Sequence, residues 1–124
     1  MSKHTELAVY RATYSLLEEI AKGVKNMNRS FKFSLGEMML VNGVNAVSEI
    51  ASANRTKSVT ERIYHIEKLI NLIENNMVQV RLARDLQVIQ ISTYSNVVDI
   101  ATDCIEQSKK WKRYTERNAS TSQK

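Results

Sequence analysis

The chain has 124 residues, of which 43% are hydrophobic, so one continuous core can form and a second catalytic domain cannot. It contains no proline and only three glycines, which excludes a β-sandwich or β-barrel built on many Gly and Pro turns and favours helices. The 18 Lys and Arg exceed the 13 Asp and Glu, and the net charge of +5 favours acidic partners such as nucleic acid or anionic lipid.

No segment of the sequence is typical of a membrane or secreted protein. No apolar run reaches the ~18 to 20 residues that a bilayer-spanning helix needs, and residues 1–6 lack the apolar stretch of a signal peptide. We therefore expect a cytoplasmic protein without a membrane partner. The single cysteine, Cys104, cannot form an internal disulfide or a thiolate metal cluster, and we interpret it as a small buried apolar side chain.

The first segment has apolar and aromatic residues in steps of three and four, as one face of a helix requires. These residues are Leu7, Tyr10, Tyr14, Leu17, Ala21, Val24 and Met27. The pattern predicts a first helix over residues 5–28, followed by a short connection over residues 29–33.

A second helix is predicted over residues 35–54. Ser34 and Glu37 have the spacing of a capping box, in which the hydroxyl accepts from an amide of the new helix and the carboxylate accepts from the amide of the cap residue. The inward side chains are predicted at Leu40 or Val41, Val44, Val47, Ile50 and Ala51.

The third helix is predicted over residues 59–89, a length of ~45 Å at 1.5 Å per residue. It begins with a second capping box, formed by Ser58 and Glu61. Its apolar residues alternate in steps of four and three without a break, at Val59, Ile63, Ile66, Ile70, Ile73, Met77 and Val80. Over the last turns the apolar face moves to Val78, Leu82, Leu86 and Ile89.

The fourth helix is predicted over residues 93–114, with Ser92 as its N-cap. Its inward positions are predicted at Tyr94, Val97 or Val98, Ala101, Cys104 or Ile105, Ser108 and Trp111. The remaining residues, 115–124, are polar and are predicted to form a loose tail.

The connections between the predicted helices are only a few residues long, so consecutive helices are expected to lie antiparallel beside each other. The predicted fold is an all-α, up-down-up-down four-helix bundle that forms one domain over residues 1–124. The alternative is a pair of helical hairpins exchanged between subunits. The wide apolar faces and the five tyrosines also leave surface for self-association.

The sequence offers no pattern typical of catalysis. A carboxylate-bridged metal pair in a helical bundle needs Glu-x-x-His on two helices, and this pattern is absent. Glu61 and His65 are four residues apart, but the only other histidine is His4. Phosphate loops, nucleophile elbows and linked Cys/His pairs are also absent from the sequence. We therefore predict that the protein is not an enzyme and uses no cofactor or metal.

Basic residues concentrate at two places in the predicted bundle. Residues 105–124 contain six Lys and Arg against two Glu, and in the bundle they share an end with the turn between helices two and three. The residues at this end are Arg55, Lys57, Arg62, Lys109, Lys110, Lys112, Arg113 and Arg117. The opposite end carries Lys22, Lys25, Arg29 and Lys32, with no acidic residue between Ile20 and Gly36.

We interpret these basic residues as contacts to nucleic-acid phosphates. Two alternatives stay open: solvated helix ends, because basic side chains near a helix C-terminus are favoured by the helix dipole, and an anionic membrane surface. The sequence shows no stacked-aromatic surface and no base-reading motif. Binding is therefore expected through backbone and shape more than through base sequence.

Arg81 and Arg84 interrupt the apolar end of helix three. A partly buried arginine needs a carboxylate partner, and Glu37, at the start of the adjoining helix, is the candidate. An internal ion pair between Arg81 and Glu37 and a contact of Arg81 and Arg84 to a ligand are both open.

Five short motifs occur in a specific order along residues 7–114. They are Tyr10-Arg11-Ala12-Thr13-Tyr14-Ser15-Leu16-Leu17, Phe31-Lys32-Phe33-Ser34-Leu35-Gly36-Glu37, Val80-Arg81-Leu82-Ala83-Arg84-Asp85-Leu86, Ile91-Ser92 and Trp111. In this order and spacing they resemble the four-helix-bundle family of the accessory variability determinant (Avd) of diversity-generating retroelements. The same family includes proteins encoded in intervening sequences of bacterial large-subunit ribosomal RNA genes.

The resemblance implies a ring-like homopentamer with a basic surface that binds RNA or DNA. For the Avd branch it also implies binding of the retroelement's reverse transcriptase, as a scaffold and not as an enzyme. Arg81 matches the family's arginine in helix three, Glu37 its acid in helix two, and Trp111 its tryptophan in helix four. Lys110 departs from the pattern, because the family usually has glycine before the tryptophan.

The predicted function is that of an accessory protein of a diversity-generating retroelement, which binds reverse transcriptase and template RNA or DNA and supports mutagenic cDNA synthesis. The predicted contact residues are Arg55, Lys57, Arg62, Arg81, Arg84, Lys109, Lys110, Lys112, Arg113 and Arg117. The alternatives are a nucleic-acid-binding bundle of the ribosomal intervening-sequence type and a helical adaptor that binds only protein.

Overall fold

The structure is a computed structural model that describes the backbone of residues 2–122 and the side chains of residues 7–119. In this part the chain forms four long helical segments and no strand, which confirms an all-α bundle. The elements are α1 (Ser2–Lys25), α2 (Arg29–Phe31), the π-helical turn π1 (Lys32–Gly36), α3 (Glu37–Arg55), α4 (Val59–Asp85) and α5 (Ile91–Ser122). None of the described helices has the length and apolar content needed to cross a membrane.

The core is a single cluster to which every long helix contributes. Its largest fully buried side chains include Leu16, Ile50, Ile73 and Trp111. Cys104 is fully buried, as predicted from the sequence, and the burial raises the pKa of its thiol to about 12. The cluster confirms the helical period of the apolar residues.

The predicted inward faces of the first two helices were partly wrong. Leu7, Tyr10, Tyr14, Ala21, Val44 and Ala51 are exposed, and of the alternatives Leu40 and Val41 it is Leu40 that packs against the core. The core is formed instead by small and polar residues next to large ones, such as Thr13 beside Leu16 and Ala46 beside Ile50. Late in α4, Val78, Leu82 and Leu86 are also exposed and Ala83 is buried. Small side chains allow helices to approach closely. A pattern built on large apolar residues does not include them.

The second long helical segment begins earlier than the sequence predicted. The Asn28 side chain caps α2 by accepting from the amide of Phe31 at 3.2 Å, and α2 continues through π1 into α3. The predicted capping box is wrong, because the Ser34 hydroxyl donates to the carbonyl of Ser30 at 2.8 Å inside the helical segment. A hydroxyl that bonds a carbonyl four residues earlier belongs to a helix interior and not to its start.

The second capping box is half confirmed. Ser58 Oγ accepts from the amide of Glu61 at 3.2 Å and caps α4. The Glu61 carboxylate, however, accepts from the hydroxyl of Thr56 at 2.7 Å, and that hydroxyl accepts from the amide of Ser58 at 3.1 Å. The Thr56 hydroxyl therefore bridges the Ser58 amide and the Glu61 carboxylate, which the predicted capping box joins directly.

The third predicted helix is four residues too long at its C-terminal end, because α4 ends at Asp85. Gln87 takes a left-handed backbone conformation with φ 61°. The amide of Val88 donates to the carbonyl of Ala83, and the amide of Gln87 donates to the carbonyl of Arg84, both at 2.9 Å. This is a Schellman motif, which satisfies the last carbonyls of a helix.

The fourth predicted helix is too short at both ends. It begins at Ile91, so Ser92 lies within it and is not its N-cap, and it continues to Ser122. Thr115 is buried and its hydroxyl donates to the carbonyl of Trp111 at 2.9 Å. The predicted loose tail is therefore wrong for residues 115–122, and residues 123–124 lie outside the described residues.

Side-chain contacts tie the helices together in pairs. They join Asn42 to Gln79 and Glu49 to His65 between α3 and α4, Glu67 to Lys112 between α4 and α5, and Glu19 to Asn96 between α1 and α5. Between α1 and α3, a Cβ added to Gly43 would lie 2.8 Å from Leu17 Cδ1. In each of these four pairs, the contacts therefore define how far one helix is shifted along the other.

Candidate nucleic-acid interface

The last turns of α5 lie beside the first turns of α4. Lys112 Nζ lies 3.0 Å from Glu67 Oε2, and from this pair α5 continues toward its end while α4 leads back to its start. Seven residues cover ~10 Å of helix, which is the distance from Lys112 to Ala119 and also from Glu67 back to Thr60. Farther along, Met77 of α4 shares a groove with Ile105 of α5, so the two helices run in opposite directions and the C-terminal part of α5 lies close to the connection between α3 and α4.

Five of the predicted contact residues are exposed cations that lie along this half of the bundle. They are Arg55 at the end of α3, Lys57 in the connection to α4, and Lys109, Lys110 and Arg113 on α5. We call these five residues the basic end. Within the described residues, no carboxylate lies within ion-pair distance of any of the five. Arg117 is exposed one turn beyond Arg113.

Arg62 belongs to the same region but is used within the protein. Its side chain is half-buried, Nε donates to the carbonyl of Ala53 at 3.0 Å, and Nη2 donates to the carbonyl of Thr56 at 2.8 Å. These carbonyls belong to the C-terminal end of α3, where helical carbonyls lack partners inside the helix. Arg62 therefore closes α3, and its predicted role as a surface contact does not match this geometry.

Lys112 differs from its neighbours on α5 because it has a partner. The hydrogen bond to Glu67, followed by the charge of that carboxylate, raises the pKa of Lys112. A lysine whose charge is balanced by a carboxylate at 3.0 Å attracts a phosphate less than an unpaired one. Among the predicted contact residues, Lys112 is thus closer to a structural residue than to a ligand contact.

The ion pair between Arg81 and Glu37, one of the two interpretations that the sequence leaves open, is absent from the described part of the chain. Both side chains are exposed, so neither needs a buried partner. Arg81 follows the buried Val80 and lies on the solvent side of α4. The apolar residues around Arg81 in the sequence suggested burial, but Leu82 and Leu86 are themselves exposed.

Arg84 lies at the opposite end of α4 from the basic end. Its guanidinium carbon is 4.5 Å from the centroid of the Tyr94 ring, and Nη2 is 2.9 Å from Asp85 Oδ1. The hydrogen bond to Asp85 is the main cause that raises the pKa of Arg84. From Glu67 to Arg84 the helix rises ~25 Å, so the structure does not bring Arg81 and Arg84 together with the basic end.

A groove of about 430 Å³ lies between α4 and α5 beside the basic end. Met77 and Ile105 form its apolar part, Lys109 and Arg113 line it on α5, and Thr102, Glu74 and Glu106 complete the lining. The groove carries both signs of charge, so a phosphate would meet the two cations only at the side away from the carboxylates. Among the described residues, no group of three His, Cys, Asp or Glu side chains could hold a metal ion.

The second basic group lies at the other end of the molecule, around the connection from α1 to α2. Lys22 Nζ is 3.6 Å from Glu19, and the guanidinium carbon of Arg29 is 5.7 Å from the Phe33 ring centroid. Lys25 and Arg29 are exposed, and Lys32 is half-buried. The sequence indicated this group by its charges alone and did not indicate that the Phe33 ring lies beside Arg29.

The sequence analysis missed a groove next to this second basic group. It lies between α3 and α4 and is lined by Phe33, Ser34, Glu37, Met38, Val41, Asn42 and Gln79. Asn42 and Gln79 are 37 residues apart and meet only because α3 and α4 pack against each other. No local signal in the sequence could have joined them.

Comparison with protein-family models and with characterised proteins gives no significant match for this chain. The Avd-type family therefore stays a prediction from the five motifs.

Proposed function

We propose that this protein is a non-catalytic accessory protein that binds RNA through its basic end. In the form that the family resemblance implies, it holds template RNA and a reverse transcriptase together and supports mutagenic cDNA synthesis in the cytoplasm. The observation that carries the RNA-binding part is the set of five exposed cations, none of which has a carboxylate partner within the described residues.

Unpaired cations on a rigid helix are suited to phosphate binding. Each one that contacts a phosphate releases counterions, and several together give strong, salt-dependent binding without base recognition. Lys109, Lys110 and Arg113 occupy about one turn of α5, so a strand that follows this surface meets three charges at helical spacing.

The helix dipole does not account for Lys109 and Lys110. Its effect falls off within the last turn of a helix, and α5 ends at Ser122, three turns beyond these residues. Solvated helix ends explain these lysines only if the fourth helix stops near residue 114, as the sequence predicts. The longer helix favours the phosphate interpretation.

The arrangement that we propose for the fold is up-down-up-down, with assembly into a ring-like homopentamer. The paired contacts support the first part, because Gly43 lies beside Leu17, Gln79 beside Asn42, and Lys112 beside Glu67. Self-association is supported by apolar side chains that remain exposed, among them Val44 and Val78. A ring multiplies the number of basic ends and therefore the avidity for a long RNA.

A helical adaptor that binds only protein is the second candidate. The exposed apolar side chains of α3 and α4 favour it, since such surfaces bind protein partners. A nucleic-acid-binding bundle of the ribosomal intervening-sequence type shares the RNA-binding property and differs in its partner. RNA binding separates the adaptor from the other two functions.

The proposal is tested by the salt dependence of RNA binding. We expect the triple variant K109Q/K110Q/R113Q to bind a structured RNA more weakly and to flatten the plot of log affinity against log salt by about two to three units. Lys112→Gln is the matched control, because Glu67 already balances that charge, and it is expected to change the slope little.

Two outcomes would contradict the proposal. An unchanged salt slope in the triple variant removes the basic end as the RNA contact, and a wild-type protein that ignores RNA at low salt favours the protein-only adaptor. Light scattering tests the assembly separately, since a pentamer has five times the mass of the chain and a clean monomer would remove the ring.

A further inference from the structure

An uncovered groove lies on the outer side of α3, where π1 joins it. Its volume is about 440 Å³, and its apolar lining is formed by Phe33, Met38 and Val41. Phe33 is 63% exposed and Met38 is 60% exposed, so the described part of the chain does not cover this surface. Large exposed apolar side chains around a concave surface are typical of an interaction site.

Two amide side chains give this groove a polar edge. Gln79 Oε1 accepts from Asn42 Nδ2 at 3.2 Å and from Asn76 Nδ2 at 3.1 Å. Within the described residues, Gln79 Nε2 and Asn42 Oδ1 have no hydrogen-bond partner. The two side-chain amides are thus held together at the groove, with one donor and one acceptor left for a ligand, and the edge of a nucleobase presents the complementary acceptor and donor.

The aromatic ring of Phe33, which lines the groove, has a cation beside it. The guanidinium carbon of Arg29 lies 5.7 Å from the Phe33 ring centroid, and both side chains are exposed. Surfaces that bind single-stranded nucleic acid combine aromatic rings, on which bases stack, with cations that follow the phosphates. Phe33 and Arg29 supply this combination.

The distribution of charge orients a bound nucleotide. The segment that leads to the groove carries Lys22, Lys25, Arg29 and Lys32 and has no acidic residue between Ile20 and Gly36. Glu37, in contrast, lines the groove itself. A phosphate is therefore attracted to the segment and repelled from the groove, while the Glu37 carboxylate can accept from the exocyclic amino group of a base.

We propose that this groove binds an unpaired nucleobase of single-stranded RNA. The base lies against Phe33 with its edge toward Gln79 and Asn42, and its phosphate lies toward Arg29 and Lys32. The inference rests on the proposed RNA binding. It adds that the ligand is single-stranded RNA and that a second contact lies at the end of the molecule opposite the basic end. It also adds contact with a base to binding that is expected from the sequence to depend on backbone and shape more than on base sequence.

The test compares two probes with the full chain. The first is a fluorescein-labelled RNA strand of about eight alternating adenosine and cytidine nucleotides, and the second is an abasic sugar-phosphate strand of the same length. By fluorescence anisotropy at about 50 mM salt, the wild-type protein is expected to bind the base-bearing strand about tenfold more tightly than the abasic strand. Phe33→Leu is expected to remove this difference, and Phe33→Trp to keep it.

Tyr64→Leu is the matched control. Tyr64 is 55% exposed and has Lys68 Nζ 5.4 Å from its ring centroid, so it is also an exposed aromatic residue beside a cation, but it does not line the groove. This variant is expected to retain the tenfold preference. A loss of the preference in Tyr64→Leu equal to that in Phe33→Leu would overturn the assignment to this groove.

The other outcomes separate this inference from the proposed function. Equal binding of both strands by the wild-type protein overturns the nucleobase site and leaves phosphate binding at the basic end intact. Binding of neither strand also overturns the nucleobase site, and the structured RNA of the salt-dependence test then decides separately whether the basic end binds RNA. If Phe33→Leu lowers the mass measured by light scattering, the groove is a contact between copies of the chain, and the nucleobase site is overturned.

Discussion

Arg62 Nε donates to the carbonyl oxygen of Ala53 at 3.0 Å, so a side chain from the first turn of α4 closes the last turn of α3. We expect Arg62→Gln to lower the free energy of unfolding by about 1–3 kcal/mol, because carbonyls in a half-buried helix end lose a charged donor. Urea denaturation followed by circular dichroism measures this change. The exposed Arg55, replaced by Gln, is expected to cost less than about 0.5 kcal/mol, and equal losses in the two variants would contradict the role of Arg62.

Two glycines on the second helical segment are expected to respond differently to alanine. A Cβ at Gly36 would lie 2.8 Å from Val24 Cγ1 and 3.3 Å from the backbone oxygen of Phe31, so Gly36→Ala is expected to destabilise the protein by about 1–3 kcal/mol. At Gly43 the close atom is Leu17 Cδ1, the end of a side chain that can rotate, and the gain in helix propensity of up to about 1 kcal/mol offsets the contact. Thermal melting of both variants tests the order, and a larger loss for Gly43→Ala would contradict it.

A buried asparagine in the core is expected to be replaceable. Asn76 is fully buried, its Nδ2 donates to the carbonyl of Met39 and to Gln79 Oε1, both at 3.1 Å, and its Oδ1 has no partner among the described residues. Asn76→Leu keeps a similar shape and removes the unpaired oxygen, so we expect unfolding to require about 1 kcal/mol more. Asn76→Ala leaves a cavity and is expected to destabilise the protein by about 1–3 kcal/mol. Denaturant titrations of both variants check the opposite signs, and a destabilised Asn76→Leu would show that the two hydrogen bonds of Nδ2 outweigh the unpaired Oδ1.

The thiol of Cys104 makes stability depend on pH in the alkaline range. Burial raises the pKa of this thiol from 9.0 to about 12, so between these values the folded chain holds a proton that the unfolded chain has lost. The contribution is therefore complete below about pH 9 and is lost as the pH rises toward about 12, at up to about 1.4 kcal/mol per pH unit.

Cys104→Ala isolates this contribution from the titration of tyrosines and lysines. We expect the difference in unfolding free energy between wild type and variant to be constant below about pH 9 and to shrink above it. Urea titrations at several pH values measure the difference. A difference that stays constant through about pH 11 would mean that the thiol is not protected in the folded chain.

The helices could be predicted from the sequence because their apolar spacing is independent of the partner helix. The inward face was harder, since Thr13, Gly43 and Ala46 are buried while Tyr10 and Val44 are exposed. Helix packing selects small residues where two helices approach closely, and this selection depends on the neighbouring helix. The spacing of large apolar residues therefore predicted the helical repeat correctly, but it was partly wrong about which face of each helix is buried.

The candidate interface could also be predicted only in part from the sequence. Lys109, Lys110 and Arg113 lie within one turn of a helix, so the sequence alone could group them. Which cations are unpaired could not be read from the sequence, because Glu67 reaches Lys112 from another helix and Arg62 turns to backbone carbonyls. The hydrogen bond between Asn42 and Gln79 likewise exists only through the pairing of α3 and α4.

The π-helical turn at Lys32–Gly36 has a consequence for changes in chain length. A deletion within an α-helix rotates all following residues by about 100°, which at most positions in this segment would turn Met39 and Ile50 away from the core. A π-turn holds one residue more than the α-helical path needs. Deleting Ser34 would therefore convert the turn into an α-helix and keep α3 in phase, so this is the one place along the described helix where a shorter chain fits the same core.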